Sequence, residues 1–227
     1  MMGKGKIQRR LRAIFRFLFR LLTRVEVIGL GKVPLSGGCI LATNHLSRLD
    51  PPLLFMLIER DDLTALVADK YQKYPFIPWL VNTLKGIWIH REEADFGALK
   101  DALRYLQQGG LLGIAPEGTR SRSRGLLPGK PGVAYLADKA SVPVVPVAIS
   151  GTEGAIFKLL TLRRPKIRVV FGDPIYFPPL ERERRDEMLQ HHTDEILCRI
   201  AALLPAEYRG VYADHPRLRE ILAASSS

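Results

Sequence analysis

Two short stretches of this chain hold side chains that could do acid–base chemistry beside an anion. The first is Thr43-Asn44-His45-Leu46-Ser47-Arg48-Leu49-Asp50. An imidazole with one nitrogen held by a carboxylate has its tautomer fixed, and its other nitrogen can take a proton from a hydroxyl. The second is Pro116-Glu117-Gly118-Thr119-Arg120-Ser121-Arg122-Ser123-Arg124. It offers a flexible glycine, several hydroxyls and three guanidinium forks, which match phosphate oxygens. Spacing alone does not separate chemistry from coincidence, because His90 and Asp95 repeat the His-x4-Asp pattern. There the context is charged and leads into a helix, where Asp95 reads as a first-turn acid. A loop histidine satisfied by its neighbours and a solvated basic loop are the bland alternatives for the two stretches.

The surrounding elements would place both stretches alike. Gly38 to Ala42 reads as a buried strand, and Leu53 to Ile58, after Pro51-Pro52, as a helix with Asp50 at its N-cap. His45 to Asp50 is then a loop between a strand end and a helix start, where open α/β sheets hold their ligands. Leu111 to Ala115 reads as another strand, which puts the arginine loop at a strand end too. Further strands are expected at Val25–Ile28, Leu63–Ala68, Gly86–His90, Val142–Ser150 and Lys166–Phe171. Pro143 and Pro146 suggest an edge or irregular position for the fourth of these. Helices are expected over Asp95–Gln108, Gly132–Ala140 and Leu180–Leu204, with His191 and His192 facing solvent on the last. Tyr71–Leu84 reads as an apolar, proline-broken connection. Gly125 to Lys130 is only superficially a Walker A loop, since the glycine spacing is one short and no Ser or Thr follows the lysine.

Alternating strands and helices predict one α/β domain with a central, mixed but largely parallel sheet flanked by helices. The expected organisation is a basic helix over 1–24, the α/β domain over 25–205 and a peripheral tail over 206–227. Cys39 and Cys198 stand far apart in apolar contexts and read as reduced core residues, with no disulfide framework and no metal spacing. Residues 1–24 hold eight cations and no acid, which is most of the net charge of +11. Within them Leu11, Ile14, Phe15, Leu18 and Leu22 follow helical spacing, while Arg12, Arg16, Arg20 and Arg24 recur every four residues. So regular a set of arginines excludes a simple transmembrane span, and no uninterrupted apolar core or cleavage site marks a signal peptide. A basic amphipathic helix of this kind fits the anionic surface of a bilayer, peripheral or monotopic on its cytoplasmic face. No nucleic-acid-binding motif accompanies the cations, so nucleic acid is not an expected partner.

Four segments resemble, in order and spacing, the blocks of the glycerolipid acyltransferases: Asn44-His45-x4-Asp50, the strand ending in Arg91, Glu117-Gly118-Thr119-Arg120-Ser121, and Val142-Pro143-Val144-Val145-Pro146-Val147. The nearest type is 1-acylglycerol-3-phosphate acyltransferase. The resemblance implies transfer of an acyl chain from acyl-CoA or acyl carrier protein to a lysophospholipid hydroxyl, with no bound cofactor and no metal. It implies His45 as general base, Asp50 as its orienter, and a glycerophosphate site formed by Glu117, Gly118, Thr119 and Arg120 with Arg91 as a further cation. Pro143 and Pro146 would shape a pocket rather than react. The stretch before Arg91 departs from the family pattern: Lys85 stands where the family has glycine, and His90 where it has an acid. A thioesterase and a non-catalytic anionic-lipid binder are the competing classes. No Gly-x-Ser-x-Gly elbow supports the first.

Overall fold

A computed structural model describes residues 4–90, 95–161 and 163–225. Its centre is a seven-stranded sheet of β1 (Arg24–Ile28), β2 (Cys39–Thr43), β3 (Leu63–Ala68), β4 (Ile87–Ile89), β5 (Leu111–Ile114), β6 (Val144–Ser150) and β7 (Lys166–Phe171), in the order β1-β7-β6-β2-β5-β3-β4. Every pairing is parallel except β6 with β7. The fold is thus the expected mixed, largely parallel α/β sheet. Its innermost strands β6, β2 and β5 are apolar apart from Thr43 and Ser150 at their ends, as strands covered on both faces must be. All five residues of β2 are buried.

Helices α1 (Lys4–Leu22) and α2 (Asp50–Leu57) cover one face, and α4 (Phe96–Gln107), α5 (Gly132–Ala140) and α7 (Arg185–Leu203) the other. Between them in sequence, α3 (Ile77–Thr83) occupies part of the stretch expected to be an irregular connection, and α6 (Ala155–Leu160) follows β6. Among the described residues no helix is long and apolar enough to cross a membrane.

Three expectations are corrected. First, β6 is interior, between β7 and β2. Pro146 is tolerated because its carbonyl accepts from Gly172 N at 2.8 Å, just where β7 stops. Its missing N–H is turned to that same side, so the ladder to β2 is unbroken. Second, the tail is not peripheral. Tyr208, Tyr212 and Leu218, the last on α8 (Pro216–Ala224), are buried in the core beneath α7. Third, His192 does not face solvent. It is buried and stacked on Phe177 with ring centroids 4.3 Å apart. Burial holds its pKa below the usual histidine value, and its Nδ1 has no hydrogen-bond partner.

Candidate active site

His45 leaves the C-terminal end of β2, and its neighbour Asn44 locks the exit. The Asn44 amide donates to Ile149 O at 2.8 Å and its oxygen accepts from Ile149 N at 2.8 Å. A side chain thereby continues the β2–β6 ladder one step past the strand. The chain then turns, and Asp50 begins α2 with its carboxylate pointing back into the turn. Asp50 is therefore not the cap it was expected to be: Leu49 holds the N-cap position without a side-chain bond. One carboxylate oxygen, Oδ2, accepts from Leu46 N and Ser47 N, both at 2.8 Å, and meets His45 Nδ1 at 2.8 Å. An oxygen already accepting from two amides calls for an N–H from the ring, which fixes the proton on Nδ1 and leaves Nε2 as the acceptor. The His45 side chain is 15 % exposed and that of Asp50 only 2 %.

The other carboxylate oxygen, Oδ1, accepts from Thr152 Oγ1 at 2.7 Å. Thr152 is completely buried, just beyond β6. Sequence reading missed it. The available signal was a Gly151-Thr152 pair directly after a central strand, at the sheet end that also carries His45.

The arginine loop meets this dyad through backbone and carboxylate rather than through arginine. Ser121 N donates to His45 O at 2.9 Å. Glu117 Oε1 accepts from His45 N at 3.1 Å and Oε2 from Leu127 N at 2.8 Å. Each Glu117 oxygen thus holds a backbone amide and the residue is buried, so its carboxylate braces the loop against the His45 turn. Burial pushes its pKa up to about 7, against the two amides that favour the charged form and together with the repulsion of Asp50. Gly118 has φ +67°, a left-handed conformation that a side chain would strain. It lets the loop turn so that Gly118 N reaches Ala115 O and Lys130 N reaches Pro116 O.

The loop's remaining groups divide cleanly. The Ser121 hydroxyl is turned inward to Gly125 O at 2.6 Å, and Arg124 lies 3.8 Å from Glu153. Thr119 is exposed and Arg120 half-buried. The Arg120 guanidinium has no hydrogen bond or ion pair with any described residue. Arg91, the expected second cation, lies outside the described residues, directly after β4 and His90. The second His-x4-Asp pattern is built differently: Asp95 caps α4 by accepting from Ala98 N and His90 N, while the His90 ring meets Asp69 instead. Elsewhere, burial pushes the thiols of Cys39 and Cys198 up to about 11 and 12, so neither is a nucleophile at neutral pH. Among the described residues no cluster of ligands could hold a metal ion.

This geometry can do one thing well. It holds an imidazole at fixed orientation at the carboxyl ends of β2, β5 and β6, beside a loop whose Arg120 has no partner among the described residues.

Residues 24–150 match the family model named Acyltransferase. A chloroplastic 1-acyl-sn-glycerol-3-phosphate acyltransferase of Brassica napus is 29 % identical over 67 % of this chain and 45 % of its own length. The protein of that activity from Borreliella burgdorferi is 25 % identical over 60 % of this chain and 54 % of its own. The chain therefore spans about half the length of these two relatives. A shorter relative from Bacillus subtilis, named for the same activity, is 23 % identical over 79 % of this chain and 87 % of its own. The crystal structure of a 1-acyl-sn-glycerophosphate acyltransferase from Thermotoga maritima superposes with a TM-score of 0.65 over 86 % of this chain and 83 % of that one, at 24 % identity, which establishes a shared fold. With the family model spanning β1 to the end of β6, and so every strand end that carries the site, the chain belongs to the acyltransferase family.

Proposed function

We propose that the protein transfers an acyl chain from a thioester, carried by coenzyme A or acyl carrier protein, to the free hydroxyl of 1-acylglycerol-3-phosphate, giving phosphatidic acid. The observation that carries this reading is the His45–Asp50 pair, over-determined by four hydrogen bonds and tied by Ser121 and Glu117 to a loop with a free guanidinium.

In the proposed mechanism Nε2 of His45 takes the hydroxyl proton as the oxygen attacks the thioester carbonyl. The imidazolium formed is stabilised by Asp50. As the tetrahedral intermediate collapses, the carbon–sulfur bond breaks, the departing thiolate receives that proton and His45 returns to its neutral form. A thioester is already activated, so the chain's own work is deprotonation and placement. Arg120 and the exposed edge of the loop around Gly118 and Thr119 hold the acceptor's phosphate through charge-assisted bonds. The family resemblance assigns Arg91 to the same phosphate site.

We place the reaction at an anionic bilayer surface on the cytoplasmic side. The support is α1, whose outward side carries Ile14, Phe17, Leu18 and Leu21, all exposed. The deciding experiment incubates purified protein with a labelled acyl thioester on each carrier, with and without lysophosphatidate, and reads products by mass. Phosphatidate is expected only with the acceptor present, and His45→Ala should lower kcat by about 10²–10⁴-fold. Free fatty acid formed equally without acceptor would make the protein a hydrolase. A near-normal kcat in the variant would remove His45 from the chemistry.

A further inference from the structure

Away from the His45 site, α1 forms one wall of a hollow of about 540 Å³. The floor is apolar, made by Val25 and Val27 of β1, Leu30, and Met56 and Leu57 of α2. The rim is basic: Arg16, Arg20 and Arg24 recur every four residues, and Arg164 closes the end. Two of these are already engaged. Arg164 donates to Arg20 O at 2.6 Å and Thr23 O at 2.8 Å, fastening the end of α1. Arg16 donates to Met56 O at 3.1 Å and faces Glu59, the one carboxylate among the described residues that line the hollow, at 3.5 Å. Arg20 and Arg24 are exposed, and neither guanidinium has a hydrogen bond or ion pair with any described residue.

Like charges four residues apart repel and weaken a helix. Arg16 and Arg20 stand so on α1, Arg24 follows at the start of β1, and the acid in the lining, Glu59, is tied to Arg16. The missing complement is an anion with an apolar part. We propose that this trough binds an anionic phospholipid of the bilayer, its phosphate between Arg20 and Arg24 and the start of its acyl chains on Val25, Val27, Leu30, Met56 and Leu57. This lipid is not the reacting one.

Strand register gives the site a purpose. Ser150 of β6 stands opposite Arg168 of β7, which stands beside Glu26 of β1. Because β6 and β7 are antiparallel, the start of β1 lies at the same end of the sheet as the C-terminal ends of β2 and β6. A lipid headgroup held at Arg20 and Arg24 turns that end, with His45, toward the membrane in one orientation.

The proposal goes beyond acyl transfer and beyond adsorption of an apolar helix face, since it requires saturable binding of a single lipid with no bilayer present. The test is a calorimetric titration of the full chain with dihexanoyl-phosphatidylglycerol below its micelle concentration, against dihexanoyl-phosphatidylcholine and inorganic phosphate. Phosphatidylglycerol should saturate at one lipid per chain, phosphatidylcholine should not bind, and inorganic phosphate should bind more weakly. The double variant Arg20→Gln/Arg24→Gln should weaken phosphatidylglycerol binding about tenfold or more. Lys100→Gln/Arg182→Gln, which removes the same charge from exposed positions elsewhere, should not. Binding without saturation, equal weakening by both pairs, or equal affinity for inorganic phosphate would overturn the site. His45→Ala protein should bind the lipid normally, so failure of the acyl-transfer reading and failure of this one give different results.

Discussion

The centre of the site is a carboxylate with no freedom left. Asp50 receives two amides and an imidazole on one oxygen and a hydroxyl on the other, so its plane, and with it the imidazole ring, is fixed. The threonine bond is the one that can be removed without touching the dyad. Thr152→Val keeps the shape and deletes the donor, leaving Oδ1 buried and unpaired. The ring should then sample orientations other than the reactive one, and kcat should fall about tenfold while the KM for lysophosphatidate stays the same. Thr152→Ser should restore most of it. A loss shared by kcat and KM, or no rescue by serine, would mark Thr152 as a packing residue. Legibility here follows sequence distance. The dyad is local, so the His-x4-Asp spacing exposes it. Thr152 lies 102 residues from Asp50 and is brought there only by a strand order that places β6 beside β2. Glu117 was legible as a residue but not in its contacts. A carboxylate among arginines reads as part of an anion site, whereas its two oxygens are spent on His45 N and Leu127 N.

At the scale of elements, α1 is the one whose packing departs most from its pattern. Its inward stripe is Gln8, Arg12, Phe15 and Phe19, continued by Thr23 just past its end, and Gln8 and Arg12 are only 4 % and 7 % exposed. Periodicity shows a helix with two unlike faces but not which face the domain takes, and here the domain takes the one with the polar anchors. The reason is the end of α2 and the turn after it, whose carbonyls need donors. Arg12 supplies them, reaching Phe55 O in the last turn of α2 at 3.2 Å and Glu59 O and Arg60 O just beyond the helix at 3.2 and 2.9 Å, and pairing with Asp61 at 3.0 Å. Its guanidinium also lies 5.0 Å from the centre of the Phe55 ring. Arg12→Met keeps the stem and removes the donors, so folding stability should drop by about 2–3 kcal/mol in a denaturant titration. Arg16→Met, which breaks a more exposed pair, should cost under about 1 kcal/mol. Equal effects would mean that α1 is held by apolar contact alone. Similar context-dependence hid the tail and His192. Short 3₁₀ turns and one amphipathic helix look dispensable in sequence, yet Leu126 N donates to Tyr208 O and Val211 N to Leu126 O, which fastens the tail to the arginine loop.

For the molecule as a whole, an inward Arg12 implies an outward row of apolar side chains. Phe17 is 66 % exposed and Leu21 57 %, and α3, bonded to α1 through Gln8 Nε2 and Thr83 O at 2.9 Å, exposes Phe76 and Trp79 as well. Water is a poor solvent for such a surface, and each large apolar side chain moved out of it contributes about 1.5–3 kcal/mol when fully buried. Two forces then act at a bilayer and separate experimentally. The cations of residues 1–24 draw the protein to anionic lipid, a term that fades as salt shortens the Debye length to about 3 Å at 1 M. The apolar row enters the headgroup boundary, a term that salt leaves intact. On neutral phosphatidylcholine vesicles only the second operates. Phe17→Ser/Leu21→Ser should therefore lower co-sedimentation with such vesicles by about 10–100-fold in partition coefficient. It should leave the denaturant midpoint unchanged, because neither side chain packs on the domain. On vesicles rich in phosphatidylglycerol at low salt the same variant should retain part of its binding and lose it as salt is added. Unchanged partition on neutral vesicles would mean that the exposed row faces something other than lipid, and that the cations alone bring the active-site end of the sheet to its substrate.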